Sequence, residues 1–223
     1  AGYGGLSGFG IDQQNEIYLC QMGSAGKIYR LANPLEVPGA ALPPRQLSQT
    51  GLFTDLHTLH PAPGLIPYWV NSPLWSDGAI KMRWIAVPNN GVPYATNETI
   101  GFDATDEWNF PKGTLFVKHF SLSLDETAPG PPRRLQTRVL VRDSQGGSYG
   151  VSYRWRDDQS DADLLLESAT QQLPIKTVSG ERSQTWHYPG PRDCMSCHTP
   201  AAGHVLGVNT AQLNGLISDS VAG

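Results

Sequence analysis

The chain has 223 residues, of which 16% are charged, and a net charge of −4 at pH 7. This length is enough for a hydrophobic core without disulfide or metal staples, and the slightly acidic balance gives no basic footprint for nucleic acid. No apolar run approaches the roughly 20 residues of a membrane-spanning helix. The 24 glycines and 18 prolines predict many turns and a mainly β fold.

Residues 1–33 predict a β-hairpin. Two runs rich in β-formers, 16–20 and 27–31, flank a turn at residues 23–26, and residues 8–12 lead into the first run. A lone hairpin is marginal in water, so we expect it to dock on the rest of the chain or on a partner. Residues 34–50 contain several prolines and predict a semi-extended linker.

Residues 51–192 predict one β-rich domain. Apolar and polar residues alternate in four stretches, at 80–87, 114–124, 134–142 and 149–155. Turn-forming residues separate these stretches, and residues 161–167 predict a short helix. The pattern favours an antiparallel sandwich or partly open barrel, followed by a short helical segment at the C-terminal end.

Residues 193–223 contain the sequence C-x-x-C-H, formed by Cys194, Cys197 and His198. This spacing is typical of haem c attachment, where two thiols add to the two porphyrin vinyl groups and the following His binds the iron. A zinc site that includes His204 is an alternative, and a redox-active dithiol is a second. A short helix is predicted from residue 211 to about 218, capped by Asn209 or Thr210.

The second axial ligand of such an iron is expected from the β domain, because the sequence after Met195 contains no Met and its only His beyond His198 is His204. We predict His119, which lies within a strand between apolar residues. His187 and Trp186 precede the motif and are predicted to contact the haem. Other candidates for the iron ligand remain open, namely His57, His60, Met22 and Met82.

Two sets of residues resemble a known family. The pattern G-F-G-I-D-x-x-x-E-I-Y-L followed by G-K-I-Y-R-L resembles the last blade of quinoprotein glucose/sorbosone dehydrogenase-type propellers. The motifs at 71–79, 113–120, 134–138, 186–189, 193–198 and 205–207 resemble the haem-c-binding region that some bacteria fuse behind such propellers, a family of uncharacterised exported c-type cytochromes. The resemblance implies one covalent haem c and electron transfer.

The sequence therefore predicts an exported monohaem c-type cytochrome module, periplasmic or extracellular in a bacterium. Ala1 begins a Gly-rich stretch without the basic start of a signal peptide, so we expect a mature, processed or partial chain. The expected partner is a redox protein or dehydrogenase domain, with a neighbouring cytochrome as a further candidate. Whether the chain is an enzyme stays open, and the sequence favours an electron-transfer protein or a part of a quinoprotein dehydrogenase over an enzyme by itself. Two alternatives stay open. The first is a structural haem-binding subunit of a larger redox complex or filament. The second is a ligand-binding β module that uses Trp69, Trp75 or Trp108.

Overall fold

The computed structural model describes residues 6–14, 16–21, 26–30, 43–92, 95–128 and 130–215. The contacts divide the chain into two units, Ala1–Leu42 and Pro43–Gly223. The strands are β1 Leu6–Ile11, β2 Ile17–Gln21, β3 Lys27–Arg30, β4 Phe53–Asp55, β5 His60–Pro61, β6 Ile66–Pro67, β7 Ile80–Ala86, β8 Leu115–Leu122, β9 Arg133–Arg142, β10 Ser148–Trp155, β11 Ala162–Leu165, β12 Ala169–Thr177 and β13 Gly180–Tyr188. The helices are α1 Pro191–Cys197 and α2 Thr210–Leu213.

The first unit contains an antiparallel sheet in the order β1-β2-β3. The predicted hairpin corresponds to β2 and β3, and the stretch predicted only to lead into it forms β1. Asp12 stabilises the turn between β1 and β2, because its Oδ1 accepts hydrogen bonds from the backbone N–H groups of Gln14 and Glu16, both at 2.9 Å. The predicted turn at residues 23–26 lies largely outside the described residues, as do most of the linker and Met22.

The second unit is built on a six-stranded antiparallel sheet in the order β11-β10-β9-β8-β7-β6. Strands that follow one another in the chain, from β6 to β11, are also neighbours in the sheet. Most of the connections between them are rich in Gly, Pro and Asp, which form the turns that reverse the chain. A separate ribbon, β12–β13, packs as a second layer, and the sheets do not close into a barrel. The predicted antiparallel β fold with a short helical C-terminal segment is confirmed.

Both faces of the large sheet are covered. One face, here called the core face, carries Trp84, Val117 and Val139, and the chain from Leu47 to Leu65 packs over it. The opposite face, here called the motif face, carries the intervening residues of the same strands, because side chains alternate along a strand. Each strand of the sheet centre is therefore buried on two sides.

The motif face has an apolar cluster at each end. At one end Phe120 packs with Leu173, Ile175 and Trp186 of the β12–β13 ribbon. At the other end Phe116 and Leu140 pack with residues that follow α1, including Val205 and Val208. These two clusters leave the middle of the motif face to polar side chains and to helix α1.

Three local predictions differ from the structure. Residues 162–165 form strand β11 instead of a helix, because Ala162–Leu165 pairs with the end of β10. The packed unit begins at Pro43 instead of residue 51: Leu47 is buried, and Ser48 donates hydrogen bonds to Asp161. Helix α2 runs only from Thr210 to Leu213, with Asn209 as its N-cap and Asn214 as its C-cap, so it ends well before the predicted residue 218. No helix of the described part of the chain is long and apolar enough to cross a membrane.

Candidate functional site

Helix α1 presents both motif cysteines. Pro191 occupies its first turn, and the Asp193 carboxylate accepts a hydrogen bond from the backbone N–H of Gly190, 3.1 Å away, which caps the helix. Cys194 and Cys197 are three residues apart, so their side chains lie on neighbouring positions of the same helix face. His198 follows directly as the residue that ends the helix.

Cys194 faces the sheet at Gly150 of β10. A Cβ atom at Gly150 would lie 2.6 Å from the Cβ and 2.8 Å from the Sγ of Cys194, so only glycine permits this approach. Burial raises the pKa of the Cys194 thiol, and the positive charge of Arg138 opposes that rise. Cys197 is exposed. The sequence contained a signal for this contact, because a glycine within a strand often marks a close approach of another chain segment.

The imidazole of His198 is held by a turn of the backbone. Its Nδ1 lies 2.7 Å from the carbonyl oxygen of His204. Gly203 and His204 both adopt the left-handed conformation, with φ of 66° and 65°, which brings this carbonyl back toward the motif. A carbonyl only accepts hydrogen bonds, so Nδ1 carries the hydrogen and Nε2 keeps its lone pair.

The electrostatics favour a neutral His198. Burial lowers the pKa of His198. The hydrogen bond to the His204 carbonyl opposes this shift, but the nearby charges of Lys118 and Arg138 add to the lowering, so the pKa stays below its usual value. A neutral imidazole with a free Nε2 is the form that binds metals. A hydrogen bond from Nδ1 to a backbone carbonyl is the usual second contact of a metal-bound His, because it fixes both the tautomer and the ring orientation.

Three cations form a row beside the motif. Arg83 lies opposite Lys118, and Lys118 lies opposite Arg138, on adjacent strands of the motif face. The Lys118 Nζ and the Arg138 Cζ lie 5.3 Å and 4.5 Å from the centre of the Phe120 ring. Burial, together with the neighbouring cations, lowers the pKa of Lys118 to about 8. The sequence did not reveal this row, because a charged residue at an alternating position of a strand normally lies at the surface.

The structure places His119, the predicted iron ligand, away from the motif, so its geometry gives that prediction no support. His119 is 2% exposed and lies on the core face. Its Nδ1 is 2.9 Å from the Thr137 hydroxyl, and its ring makes an edge contact with Trp155. Burial, aided by the charge of Arg134, lowers the pKa of His119 to about 3. The sheet itself separates this side chain from Cys194, because residues 118 and 119 point to opposite faces.

Trp186 and His187 lie on opposite sides of β13. Trp186 is buried and packs against Phe120, with ring centres 6.1 Å apart. His187 is exposed, and its Nε2 lies 3.2 Å from the carboxylate of Asp193 in the first turn of α1. The structure therefore gives His187 a contact that positions helix α1. That both residues contact a haem stays a prediction.

The candidates His57, His60 and Met82 lie away from the motif. His57 and His60 belong to the segment that covers the core face, and Met82 pairs with His119 on that same side. Among the proposed ligand-binding tryptophans, Trp69 and Trp75 are 60% and 76% exposed. Trp108 instead donates its indole N–H to the Asp103 carbonyl, which ties it into the fold.

The described residues do not assemble a set of zinc ligands at the motif. Within the described ranges, no group of three or more His, Cys, Asp and Glu side chains converges to hold a metal ion. The His204 ring contacts the Ser148 hydroxyl at 3.2 Å, and only its backbone carbonyl meets His198. The residues fit haem c: two thiols one turn apart, a neutral His with a free Nε2, and a glycine that admits Cys194 to the sheet.

Comparisons with known proteins identify no relatives. No protein-family model, no curated protein and no solved structure matches this chain.

Proposed function

We propose that this protein is an exported monohaem c-type cytochrome module that transfers electrons. The observation that carries the proposal is the hydrogen bond from His198 Nδ1 to the His204 carbonyl. It holds the His of the C-x-x-C-H motif in the tautomer that an iron ligand needs.

Thioether bonds at Cys194 and Cys197 would hold the haem, and His198 would bind its iron through Nε2. The haem supplies one-electron redox chemistry. The protein contributes orientation through helix α1 and the turn at residues 199–204, and it contributes positive charge through Arg83, Lys118 and Arg138. Positive charge near a haem favours the reduced iron, which carries one charge less, so this surrounding would raise the reduction potential.

Covalent haem c places the proposed site of action in the bacterial periplasm or outside the cell. Its proposed partner is a redox protein or a dehydrogenase domain, which would exchange electrons with the haem. The partner is proposed from the haem motif together with the propeller-like pattern in residues 8–31.

The test is the mass of the denatured protein after export from cells that attach haem c. We expect the mass of the chain plus one haem, and the loss of that increment in the Cys194→Ala, Cys197→Ala double variant. Cys20→Ala is the matched control, because Cys20 lies in β2 of the other unit, and it should keep the haem. An unmodified chain that carries zinc would refute the proposal.

A further inference from the structure

The buried polar groups without partners gather in one place. Among the described residues, the buried side-chain nitrogen and oxygen atoms that form no hydrogen bond belong to Gln136, Arg138, Ser152 and Trp186. Gln136 and Arg138 are neighbours on the motif face of β9, and Ser152 lies opposite Arg138 on β10. Trp186 packs on Phe120, which lies opposite Gln136. We call these four residues the unpaired patch.

Most of the unpaired atoms are donors. The Arg138 Nε, the Trp186 Nε1 and the Gln136 amide nitrogen can only donate, and the Ser152 hydroxyl can donate as well. The Gln136 side chain is completely buried, yet neither its nitrogen nor its oxygen has a partner. Buried polar groups are normally hydrogen-bonded, and a cluster of exceptions calls for a ligand that the protein itself does not supply.

The charge of the surroundings identifies the class of ligand. Arg83, Lys118 and Arg138 form no ion pair with any carboxylate of the described residues. The carboxylate of Asp193 influences Arg138, but it is already bonded to Ser168, Gly190 and His187. Cations that are partly removed from water and have no counter-ion require an anion nearby. Unpaired donors together with unpaired cations fit carboxylates.

The patch lies beside the motif. Ser152 lies two residues after Gly150 on the same face of β10, and a Cβ at Gly150 would lie only 2.6 Å from the Cβ of Cys194. Arg138 lies directly opposite Ser152 on the neighbouring strand, so it borders the same stretch of β10 that Cys194 contacts. A group attached at Cys194 would therefore begin next to the patch.

We propose that the unpaired patch and the row of Arg83, Lys118 and Arg138 bind the propionate carboxylates of the attached haem. This inference rests on the proposed function, since the haem must first be attached. One haem brings two carboxylates, and the patch offers a guanidinium, an amide, a hydroxyl and an indole within one stretch of sheet. Residues from three strands would then fix the orientation of the haem against the motif face.

The test uses the haem-loaded full chain with ¹³C in the propionate carboxyl groups, introduced by growth on labelled 5-aminolevulinate. Infrared spectra report the carboxylate stretch of the labelled propionates. We expect this band to shift in Arg138→Leu, and in Lys118→Gln should Arg138→Leu fail to fold. Arg133→Leu is the matched control, because Arg133 lies on the same strand but already pairs with Asp157, and its spectrum should equal that of the wild type. Labelled bands that are the same in all variants would overturn the proposal.

A second measurement separates propionates from an external carboxylate. Calorimetric titration of the haem-loaded protein with succinate should show no binding, because the patch is already occupied. Succinate binding that disappears in Arg138→Leu would overturn the assignment to haem propionates. The two failures can be told apart. If the proposed function is wrong, the mass of the protein shows no haem. If only this inference is wrong, the haem is attached, but the labelled propionate bands do not respond to the Arg138 substitution.

Discussion

The Nδ1 of His198 meets the backbone carbonyl of His204, and not the His204 side chain, at 2.7 Å. The backbone thus fixes the orientation of the motif imidazole. This arrangement depends on two consecutive left-handed residues, Gly203 and His204, of which only the first is glycine. The left-handed backbone conformation of a non-glycine residue such as His204 costs about 1–2 kcal/mol of conformational free energy, which the contacts around it must offset.

The first prediction distinguishes the carbonyl of His204 from its ring. His204→Gly keeps the carbonyl and relieves the left-handed strain, so we expect an unchanged haem spectrum and unchanged haem content. If His204 were instead a zinc ligand through its ring, this variant would lose the metal. Metal analysis and the absorption spectrum of the purified variant decide between the two.

The second prediction concerns the turn that aims this carbonyl. Gly203→Ala places a side chain at φ 66°, which should destabilise the fold by about 1–2 kcal/mol and shift the paramagnetic resonance of the oxidised iron. Gly51→Ala is the matched control, because Gly51 has φ 71° and also has room for a Cβ, but it lies far from the motif in sequence, in the segment that packs over the core face. It should lose similar stability with no spectral change. Equal spectra in both variants would contradict the role of the turn.

The third prediction concerns Gly150, where a Cβ would overlap Cys194. We expect Gly150→Ala to push α1 away from β10, to lower the free energy of unfolding by about 1–3 kcal/mol and to reduce the yield of attached haem. Gly10→Ala is a suitable control, because nothing lies within 4 Å of a Cβ at that strand position. Denaturant unfolding and the mass of the product measure both effects. Full haem content at wild-type stability would show that α1 does not pack on Gly150.

The fourth prediction concerns the pH dependence of stability. His119 has a folded pKa of about 3, whereas an unfolded His titrates near 6.5. As the pH falls below about 6.5, only the unfolded state gains this proton, so stability should fall by about 1.4 kcal/mol per pH unit until the pH nears 3. His119→Gln should remove this contribution, whereas His60→Gln, at an exposed position, should not. Urea unfolding between pH 4.5 and 7.5 gives the slope of the unfolding free energy against pH for each protein. Equal slopes for wild type and His119→Gln would contradict the burial of a neutral His119.

The fifth prediction is that His119→Gln leaves the spin state of the iron unchanged. The side chain lies on the core face, and the motif lies on the other side of the sheet. Paramagnetic resonance of the oxidised wild type and variant gives the comparison. A low-spin signal that becomes high-spin only in the variant would restore His119 as a ligand and would require a different arrangement of the sheet.

Part of this structure followed from the sequence alone. The alternating stretches at 80–87, 114–124, 134–142 and 149–155 became β7 to β10 with small changes at their ends, because a period of two is a local property of the chain. The C-x-x-C-H motif was equally visible, because its chemistry depends on spacing within five residues. Strands β12 and β13 were missed, because inward positions such as Gln171 and Gln184 carry polar residues and Pro174 interrupts the first run.

The tertiary structure decided which residues surround the motif. In β8 both alternating sets of side chains are mostly buried, so hydrophobicity does not show which set faces Cys194. Only the pairing of β8 with its neighbours and the packing of α1 on Gly150 place Lys118 on the motif face and His119 on the other. The hydrogen bond to the His204 carbonyl was likewise invisible, because it depends on backbone angles and not on the identity of the side chain. Local spacing determined the chemistry of the motif, and long-range packing determined its neighbours.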